Sequence, residues 1–260
     1  MTGQVRTTIK DGIGTLIFDH EARRNAITAE MWDAIPAAVE ALEKTAEVRV
    51  VVMRGAGDVA FVSGADISQF EQSRSGASAA EYDLLNARAF SALSELRKPL
   101  IALIHGFCVG GGCAIALTAD LRYCADDGVF AIPAAKLGLG YHVGGLESLV
   151  SVVGQAAARE IFFTARRLRA EEALRIGLVN GVLPKHELNA HVFEVARSIA
   201  DNAPLSLASA KLILGQIRRA PESRDRAGME ASIRACYESA DYAEGVRAFL
   251  EKRPARFEGR

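Results

Sequence analysis

The sequence lacks any run of basic residues, and its 31 lysines and arginines are balanced by 32 aspartates and glutamates, for a formal net charge of -1. A near-neutral chain of this kind offers no electrostatic surface for nucleic acid or for an anionic membrane. No window approaches the roughly 20 apolar residues that a membrane-spanning helix requires, and residues 1–14 are too polar for a signal peptide. These absences predict a soluble, cytoplasmic protein.

Cysteine and histidine are scarce, and their spacing argues against a metal site. The four cysteines are neither paired as in a zinc site nor dense as in a disulfide scaffold, so we expect buried apolar thiols in a reducing compartment. His186 and His191 are five positions apart, which places them roughly 140° apart around a helix. They cannot form a chelating pair, and we expect no metal ion.

The sequence does contain alternating strand-like and helical segments. Residues 5–10 and 14–20 flank Asp11 and Gly12 and predict a hairpin. Buried strands are predicted at 48–55, 99–106 and 121–127, with a last strand near 178–184. Thr28 is placed to cap the first long helix. Since only helical patterns follow, we predict an α/β core at residues 1–195 and a C-terminal helical region at 196–260.

Two glycine-containing loops carry the candidate chemistry. The first consists of Ser63, Gly64, Ala65, Asp66 and Ile67. The second consists of Gly110, Gly111 and Gly112, between a buried strand and an apolar helix. Glycine lets a ligand approach the backbone, and the first helical turn leaves N–H groups without intrahelical acceptors. One N–H group from each loop could converge on one oxygen as an oxyanion hole, although glycines also serve close helix–strand packing.

A dinucleotide-binding loop is the alternative interpretation of the glycines. Gly138, Gly140 and Gly144 have the G-x-G-x-x-x-G spacing of some such loops. The preceding segment, 133–137, is a poor strand, and no strand opens the chain in a βαβ unit. In the other loop, Ile115 occupies the position where a third spaced glycine should fall. We therefore favour the oxyanion hole.

Several motifs occur in order at plausible spacing: AFVSGADI at 60–67, IHGFCVGGGC at 104–113 and FLEKR at 249–253, with RNA at 24–26 and EEA at 171–173. Together they resemble the crotonase superfamily, also called the enoyl-CoA hydratase/isomerase family, over nearly the whole chain. The resemblance implies a spiral of β-β-α repeats with a C-terminal helical trimerisation region. It also implies a homotrimer or dimer of trimers, an acyl-CoA substrate, and no cofactor beyond the coenzyme A of that substrate.

The same resemblance implies individual site residues. The peptide N–H groups of Ala65 and Gly111 match the two oxyanion-hole positions. The strip that receives CoA is matched by Ala22, Arg24, Ala60, Ser63, Gly64, Asp66, Ile67 and Gly110. Phe249 and Lys252 match positions that reach CoA bound to a neighbouring subunit. A solvated surface charge is an equally good interpretation of Lys252.

The sequence departs from the hydratases of this family at two positions. Hydratases place one glutamate two residues after the triple glycine and a second in the segment matching 130–134. Here these positions are Ala114 and Ala134. Addition of water needs groups that position the water and move a proton, and a methyl group can do neither. Efficient hydration is therefore not expected.

Tyr141 and His142 are the polar residues left near the predicted thioester carbonyl. Other branches, including dienoyl-CoA isomerases, place working residues here, and the methylmalonyl-CoA decarboxylase branch has a tyrosine aligned with Tyr141 but a histidine in place of Ala65. A tyrosine can orient a carboxylate or donate a proton, and histidine titrates near neutrality. We predict a decarboxylation, isomerisation or related lyase step. A hydratase of low efficiency and a non-catalytic acyl-CoA-binding protein are the alternatives.

Two further titratable side chains lie near these motifs. Glu147, the nearest other carboxylate, could act in the site or cap the next helix. His105 ends a buried strand, and we expect it to hydrogen-bond to backbone in the core rather than contact substrate.

Overall fold

The computed structural model describes residues 3–66 and 77–260, and the larger of its two sheets has six strands. These are β1 (Gln4–Lys10), β2 (Ile13–Asp19), β3 (Val50–Gly55), β5 (Leu100–Ile104), β7 (Leu121–Ala125) and β10 (Gly181–Leu183), in that order across the sheet. β1 and β2 form the predicted antiparallel hairpin, with Asp11 and Gly12 at positive φ of 51° and 76°. The other neighbouring strands of this sheet run parallel.

A smaller sheet consists of β4 (Ala60–Val62), β6 (Phe107–Val109), β8 (Val129–Ala131) and β9 (Leu168–Arg169), in that order. The helices are α1 (Ala29–Lys44), α2 (Ala77–Glu95), α3 (Gly111–Leu117), α4 (Val143–Thr164), α5 (Ala170–Arg175), α6 (Lys185–Ala200), α7 (Pro204–Ile217), α8 (Arg226–Tyr237) and α9 (Ala240–Glu251). Three times the chain passes from the larger sheet to the smaller sheet and on to a helix: β3–β4–α2, β5–β6–α3 and β7–β8–α4. This confirms the predicted α/β spiral of β-β-α repeats.

The central strands are buried on both faces, which explains their continuous apolar sequence. In β3, Val51 and Met53 contribute to the main hydrophobic cluster, while Val50 and Val52 belong to a second cluster on the opposite face. This division follows from the two-residue period of a strand. The second cluster is closed by α6, so the parallel sheet is covered by helices on both sides.

The α/β core ends with α6, and only helices follow it. The predicted boundary between residues 195 and 196 lies inside this helix, whose Leu188, Val192 and Ala196 are buried in the second cluster. Residues up to Ala200 therefore pack as part of the core, because they cover one face of the larger sheet. The helical region that follows consists of α7, α8 and α9. None of the helices in the described ranges has the length and apolar character of a membrane span.

Candidate active site

The first glycine-containing loop is held beside the segment that leads into α1. Thr28 caps α1 as predicted, since its Oγ1 accepts from the Met31 N–H at 3.3 Å. One residue earlier, the Ile27 N–H donates to Gly64 O and the Asp66 N–H donates to Ile27 O, both at 2.9 Å. Ile27 and Ala65 are thereby paired in a parallel bridge. Because the residues on either side of Ala65 make these bonds, the N–H of Ala65 points away from Ile27.

The three glycines of the second loop serve three different purposes. Gly110 has φ 54° and ψ −114°, a conformation that residues with a side chain avoid. A β-carbon at Gly112 would lie 2.1 Å from Val62 O, so this glycine allows α3 to pack directly on the end of β4. A β-carbon at Gly111 would meet only ordinary contacts, 3.4 Å from the Trp32 ring and 3.7 Å from the Ala65 nitrogen. Gly111 is therefore the glycine that faces the other loop.

Ala65 and Gly111 are close neighbours at this point, since a β-carbon at Gly111 would lie 3.7 Å from the Ala65 nitrogen. Gly111 is the first residue of α3, and the N–H of a first helical residue has no intrahelical acceptor. Across residues 3–66 and 77–260, neither N–H donates to a protein acceptor. Two neighbouring residues on two different loops thus each have a backbone N–H group without a protein acceptor.

Tyr141 and His142 are adjacent in sequence, yet their side chains point in different directions. The half-buried Tyr141 ring meets Phe162 edge to face at 5.4 Å between centroids. Burial raises the pKa of Tyr141, and the Cys113 and Cys108 thiols raise it further, so the phenol stays neutral and can donate a proton. Cys113 lies on α3 two residues after Gly111, which places Tyr141 beside the helix that carries one oxyanion donor.

The imidazole of His142 lies at the surface. Its side chain is 76% exposed, and Nε2 is 3.4 Å from Oδ1 of Asp83 on α2. The structure therefore brings His142 to an α2–α4 contact rather than into the protein interior beside Tyr141. Glu147 is likewise exposed, on the first turns of α4.

Small side chains occupy the two positions that the sequence resemblance matches to hydratase glutamates. Ala114 is half-buried on α3, three residues after Gly111, and Ala134 is buried in the 3-10 helix Pro133–Leu137. Since that segment is helical, it does not form the strand that a dinucleotide-binding loop at residues 138–144 would require. Across the described ranges, no three His, Cys, Asp or Glu side chains gather to hold a metal ion.

Some of the residues matched to the CoA strip lie next to one another at the surface, and others are buried. Ala22 and Arg24 are exposed, and the Ser63 N–H donates to Arg24 O at 3.1 Å, which joins the two segments. The Arg24 guanidinium stacks over the Phe107 ring at 4.8 Å. Ala60 is buried and its carbonyl accepts from the Asn25 side chain at 2.8 Å, so it belongs to the framework. Ile67 lies outside the described residues.

Phe249 and Lys252 are exposed, and the structure does not bring them to Ala65 and Gly111 of the same chain. The C-terminal helices attach where the strands of the larger sheet begin. There, Lys211 of α7 contacts Asp120 at 2.7 Å, just before β7. Arg49, just before β3, donates to the Phe257 carbonyl at 3.0 Å. The two glycine loops follow the opposite ends of the strands.

The expectation for His105 is wrong in one respect. The side chain is buried in the core, 3% exposed, but neither ring nitrogen hydrogen-bonds to the protein within the described ranges. Burial lowers the pKa of His105, and the nearby Asn189 amide opposes this shift without reaching hydrogen-bond geometry. The backbone near His105 is already paired, since its own carbonyl accepts from the Phe61 N–H at 2.7 Å.

Sequence reasoning missed Trp32 and Tyr82. Trp32 of α1 is 1% exposed, contacts the Gly111 position, and donates from Nε1 to Tyr82 Oη at 3.0 Å. In the sequence, an apolar residue on the buried face of a helix has the same pattern whether it lies against core or against a site. Only the tertiary contact with Gly111 distinguishes Trp32.

Comparison with known proteins agrees with this architecture. Residues 8–260 match the model of the enoyl-CoA hydratase/isomerase family. A short-chain-enoyl-CoA hydratase from Clostridium acetobutylicum is 33% identical over 88% of this chain and 87% of its own. A peroxisomal Delta(3,5)-Delta(2,4)-dienoyl-CoA isomerase from Arabidopsis thaliana is 32% identical over 97% and 95%. The crystal structure of an enoyl-CoA hydratase/carnithine racemase from Magnetospirillum magneticum superposes with a TM-score of 0.93 at 33% identity, covering 100% of this chain and 97% of that one. The chain belongs to the enoyl-CoA hydratase/isomerase family.

Proposed function

We propose that this protein binds an acyl-CoA thioester and stabilises an enolate or oxyanion of the thioester through the N–H groups of Ala65 and Gly111. The observation that carries the proposal is the juxtaposition of these two unbonded donors, with the β-carbon position of Gly111 only 3.7 Å from the Ala65 nitrogen. Donors aimed at an oxygen that gains negative charge stabilise the transition state more than the ground state. Removing one such donor typically lowers turnover by about 10²–10³.

The reaction that fits the side chains is a decarboxylation, an isomerisation or a related lyase step. Relatives named hydratase and dienoyl-CoA isomerase both support acyl-CoA chemistry, but Ala114 and Ala134 provide no acid or base for addition of water. A backbone oxyanion hole stabilises an enolate without any metal or redox cofactor. The polar participant that the geometry favours is Tyr141, a neutral phenol beside α3.

The proposed substrate is recognised largely through its CoA portion. The joined segments around Arg24 and Ser63 offer backbone groups and one guanidinium to the nucleotide and pantetheine. Phe249 and Lys252 complete this surface from a neighbouring subunit of a trimer or dimer of trimers. Within one chain, the C-terminal region that carries them attaches at the opposite ends of the strands, through Lys211 and Phe257. The exposed apolar side chains of the C-terminal helices, among them Phe249 at 83% and Leu250 at 74%, support burial in such an assembly.

The first experiment compares ligand binding with turnover. Calorimetric titration is expected to show far tighter binding of acetyl-CoA than of acetate, because recognition lies in the CoA portion. A panel of malonyl-type, enoyl and dienoyl thioesters then identifies the reaction, and hydration of crotonyl-CoA is expected to be very slow. Equal affinity for acetyl-CoA and acetate would overturn the proposal.

Removing one donor tests the oxyanion hole directly. Proline is favoured at the first position of a helix and has no N–H group, so Gly111→Pro deletes the donor. We expect turnover of the best thioester to fall by about 10²–10³ while the circular dichroism spectrum and CoA affinity are retained. Normal turnover by this variant would exclude the proposed hole.

The same panel separates the two alternatives. A hydratase rate in the ordinary enzymatic range would favour the hydratase assignment and would mean that water is positioned by other groups. Tight binding of thioesters without turnover of any of them would favour an acyl-CoA-binding protein, for which the two alanines are the supporting observation.

A further inference from the structure

Trp32, the only tryptophan of the chain, borders the space between the two oxyanion donors. Its Cζ2 and Cη2 atoms lie 3.4 Å and 3.8 Å from the position that a β-carbon of Gly111 would occupy. That position is also 3.7 Å from the Ala65 nitrogen. The benzo edge of the indole therefore lies against the residue that carries one of the two proposed donors.

The indole is fixed from its other side by α2. Its Nε1 donates to Tyr82 Oη at 3.0 Å, and Phe90 packs against it edge to face at 5.3 Å between centroids. Moving the ring would break a buried hydrogen bond and open a gap in a packed interior, both of which are unfavourable. The ring therefore forms a rigid wall whose polar end is paired and whose apolar edge faces Gly111.

We propose that Trp32 limits the depth of the acyl pocket and selects thioesters with short acyl chains, with Tyr82 as the residue that positions the indole. This inference rests on the proposed function, because it assumes that a thioester carbonyl binds at Ala65 and Gly111. The first carbons of the acyl group then contact the indole edge. A longer chain overlaps with the ring unless the ring moves.

The test measures affinity as a function of chain length. Calorimetry with acetyl-, butyryl-, hexanoyl- and octanoyl-CoA is expected to show no gain in affinity beyond butyryl-CoA for the wild-type protein. In Trp32→Leu, each methylene that enters the new space is expected to tighten binding about fourfold. Trp32→Phe is a smaller change that preserves an aromatic side chain, and it serves if the leucine variant does not fold.

A matched control uses the same helix. Leu42 is 1% exposed on α1 and lies ten residues beyond Trp32, about 15 Å along the helix axis. Leu42→Ala is expected to lower stability, as a buried truncation does, but to leave the chain-length profile of the wild-type protein unchanged.

Fluorescence gives a second readout, because emission from tryptophan comes from this one residue. Butyryl-CoA is expected to change the emission of the wild-type protein more than CoA alone, since only the acyl group meets the indole edge. Tyr82→Phe removes the acceptor of the indole N–H while keeping the ring. It is expected to shift the emission of the free protein and to relax the chain-length limit partly.

The outcomes separate this inference from the proposed function. Identical chain-length profiles for the wild-type protein and Trp32→Leu would overturn the role of Trp32, as would wild-type affinity that keeps rising to octanoyl-CoA. In both cases butyryl-CoA still binds and the proposed function stands. Failure of the wild-type protein to bind any thioester would overturn both.

Discussion

The two ends of the larger sheet differ in what they expose. At the site end, where the loops of Ala65 and Gly111 follow the strands, backbone N–H groups lie beside buried aromatic rings. At the attachment end, where Arg49 and Asp120 precede the strands and hold the C-terminal helices, large apolar side chains are exposed. Unbonded polar groups in an apolar setting suit chemistry, whereas exposed apolar side chains suit contact with another protein surface. Substitutions at the site end should therefore leave assembly unchanged, whereas disruption of the attachment end should weaken assembly and, with it, the CoA contacts proposed for Phe249 and Lys252.

The largest effects are expected within the triple glycine at the site end. In Gly111→Ala the N–H donor is kept and the methyl group meets only ordinary contacts, but it occupies the space beside the Ala65 nitrogen and should displace the thioester. Turnover should therefore fall by about 10²-fold with the fold and assembly intact. In Gly112→Ala the methyl group would lie 2.1 Å from Val62 O, so the protein should unfold at a much lower temperature. Turnover assays and thermal melts of both variants measure these effects. Equal behaviour of the two variants would contradict the division of roles.

A smaller effect is expected from the two adjacent polar residues. If Tyr141 donates a proton, Tyr141→Phe should lower turnover by about 10²-fold or more, since a general acid contributes about 10²–10⁴. His142→Ala removes an exposed contact with Asp83 and should change turnover by no more than about twofold, as surface substitutions do. Steady-state kinetics on the thioester identified by the panel provide the measurement. A larger loss of turnover in His142→Ala than in Tyr141→Phe would assign the proton-donating role to His142.

Charged substitutions at the attachment end test its role in assembly. Phe249→Asp with Leu250→Asp places two carboxylates in the exposed apolar surface and should shift the protein from the proposed trimer or dimer of trimers to a monomer in light scattering. Each buried phenylalanine or leucine contributes about 1.5–3 kcal/mol, so association should weaken by more than tenfold per contact. The exposed Tyr242→Phe variant serves as the control. A wild-type protein that is already monomeric would remove the reason to assign Lys252 to a neighbour's ligand.

The smallest effect concerns His105, which is buried directly after β5. Burial lowers the pKa of His105 below its usual value near 6.5, so the unfolded chain binds more protons than the folded chain below that pH. Stability should therefore be lost as the pH falls below about 6.5, by at most about 1.4 kcal/mol per pH unit. Arg54 and Lys185 oppose protonation of the imidazole, and Asp127 favours it.

Urea unfolding between pH 5 and pH 8 measures this dependence. His105→Asn should flatten it, whereas His186→Gln, at an exposed position of α6, should leave it unchanged. An unaltered pH dependence in His105→Asn would show that other groups account for the acid sensitivity.

Much of the fold could be predicted because local patterns specify it. The hairpin around Asp11 and Gly12, the cap at Thr28 and the buried strands all depend on near neighbours in sequence, and the structure confirms them. The boundary at residues 195–196 fell inside α6, because a helix that packs on the core and a helix beyond it share the same periodicity. Packing against the sheet, which decides the difference, is a long-range contact.

The candidate site was only partly predictable for the same reason. The loops of Ala65 and Gly111 were identified from glycine spacing and family resemblance, and the structure places them together. Nothing in the sequence indicated that Tyr141 turns toward Phe162 while His142 turns toward Asp83, because tertiary packing determines the direction of each side chain. Trp32 was missed since its contact with Gly111 joins residues 79 positions apart in the numbering.

The two unbonded amides at Ala65 and Gly111 have a consequence for hydrogen–deuterium exchange. Amides in strands that are buried on both faces, such as β3, exchange slowly because they are hydrogen-bonded and require opening of the core. Ala65 and Gly111 lie close to this slowly exchanging region but lack an acceptor in the chain, so they should exchange quickly in the free protein. An oxygen that occupies the space between them supplies the missing acceptor. Ligand protection should therefore be concentrated at these two amides, where it marks the reacting atom of the ligand without any substitution in the protein.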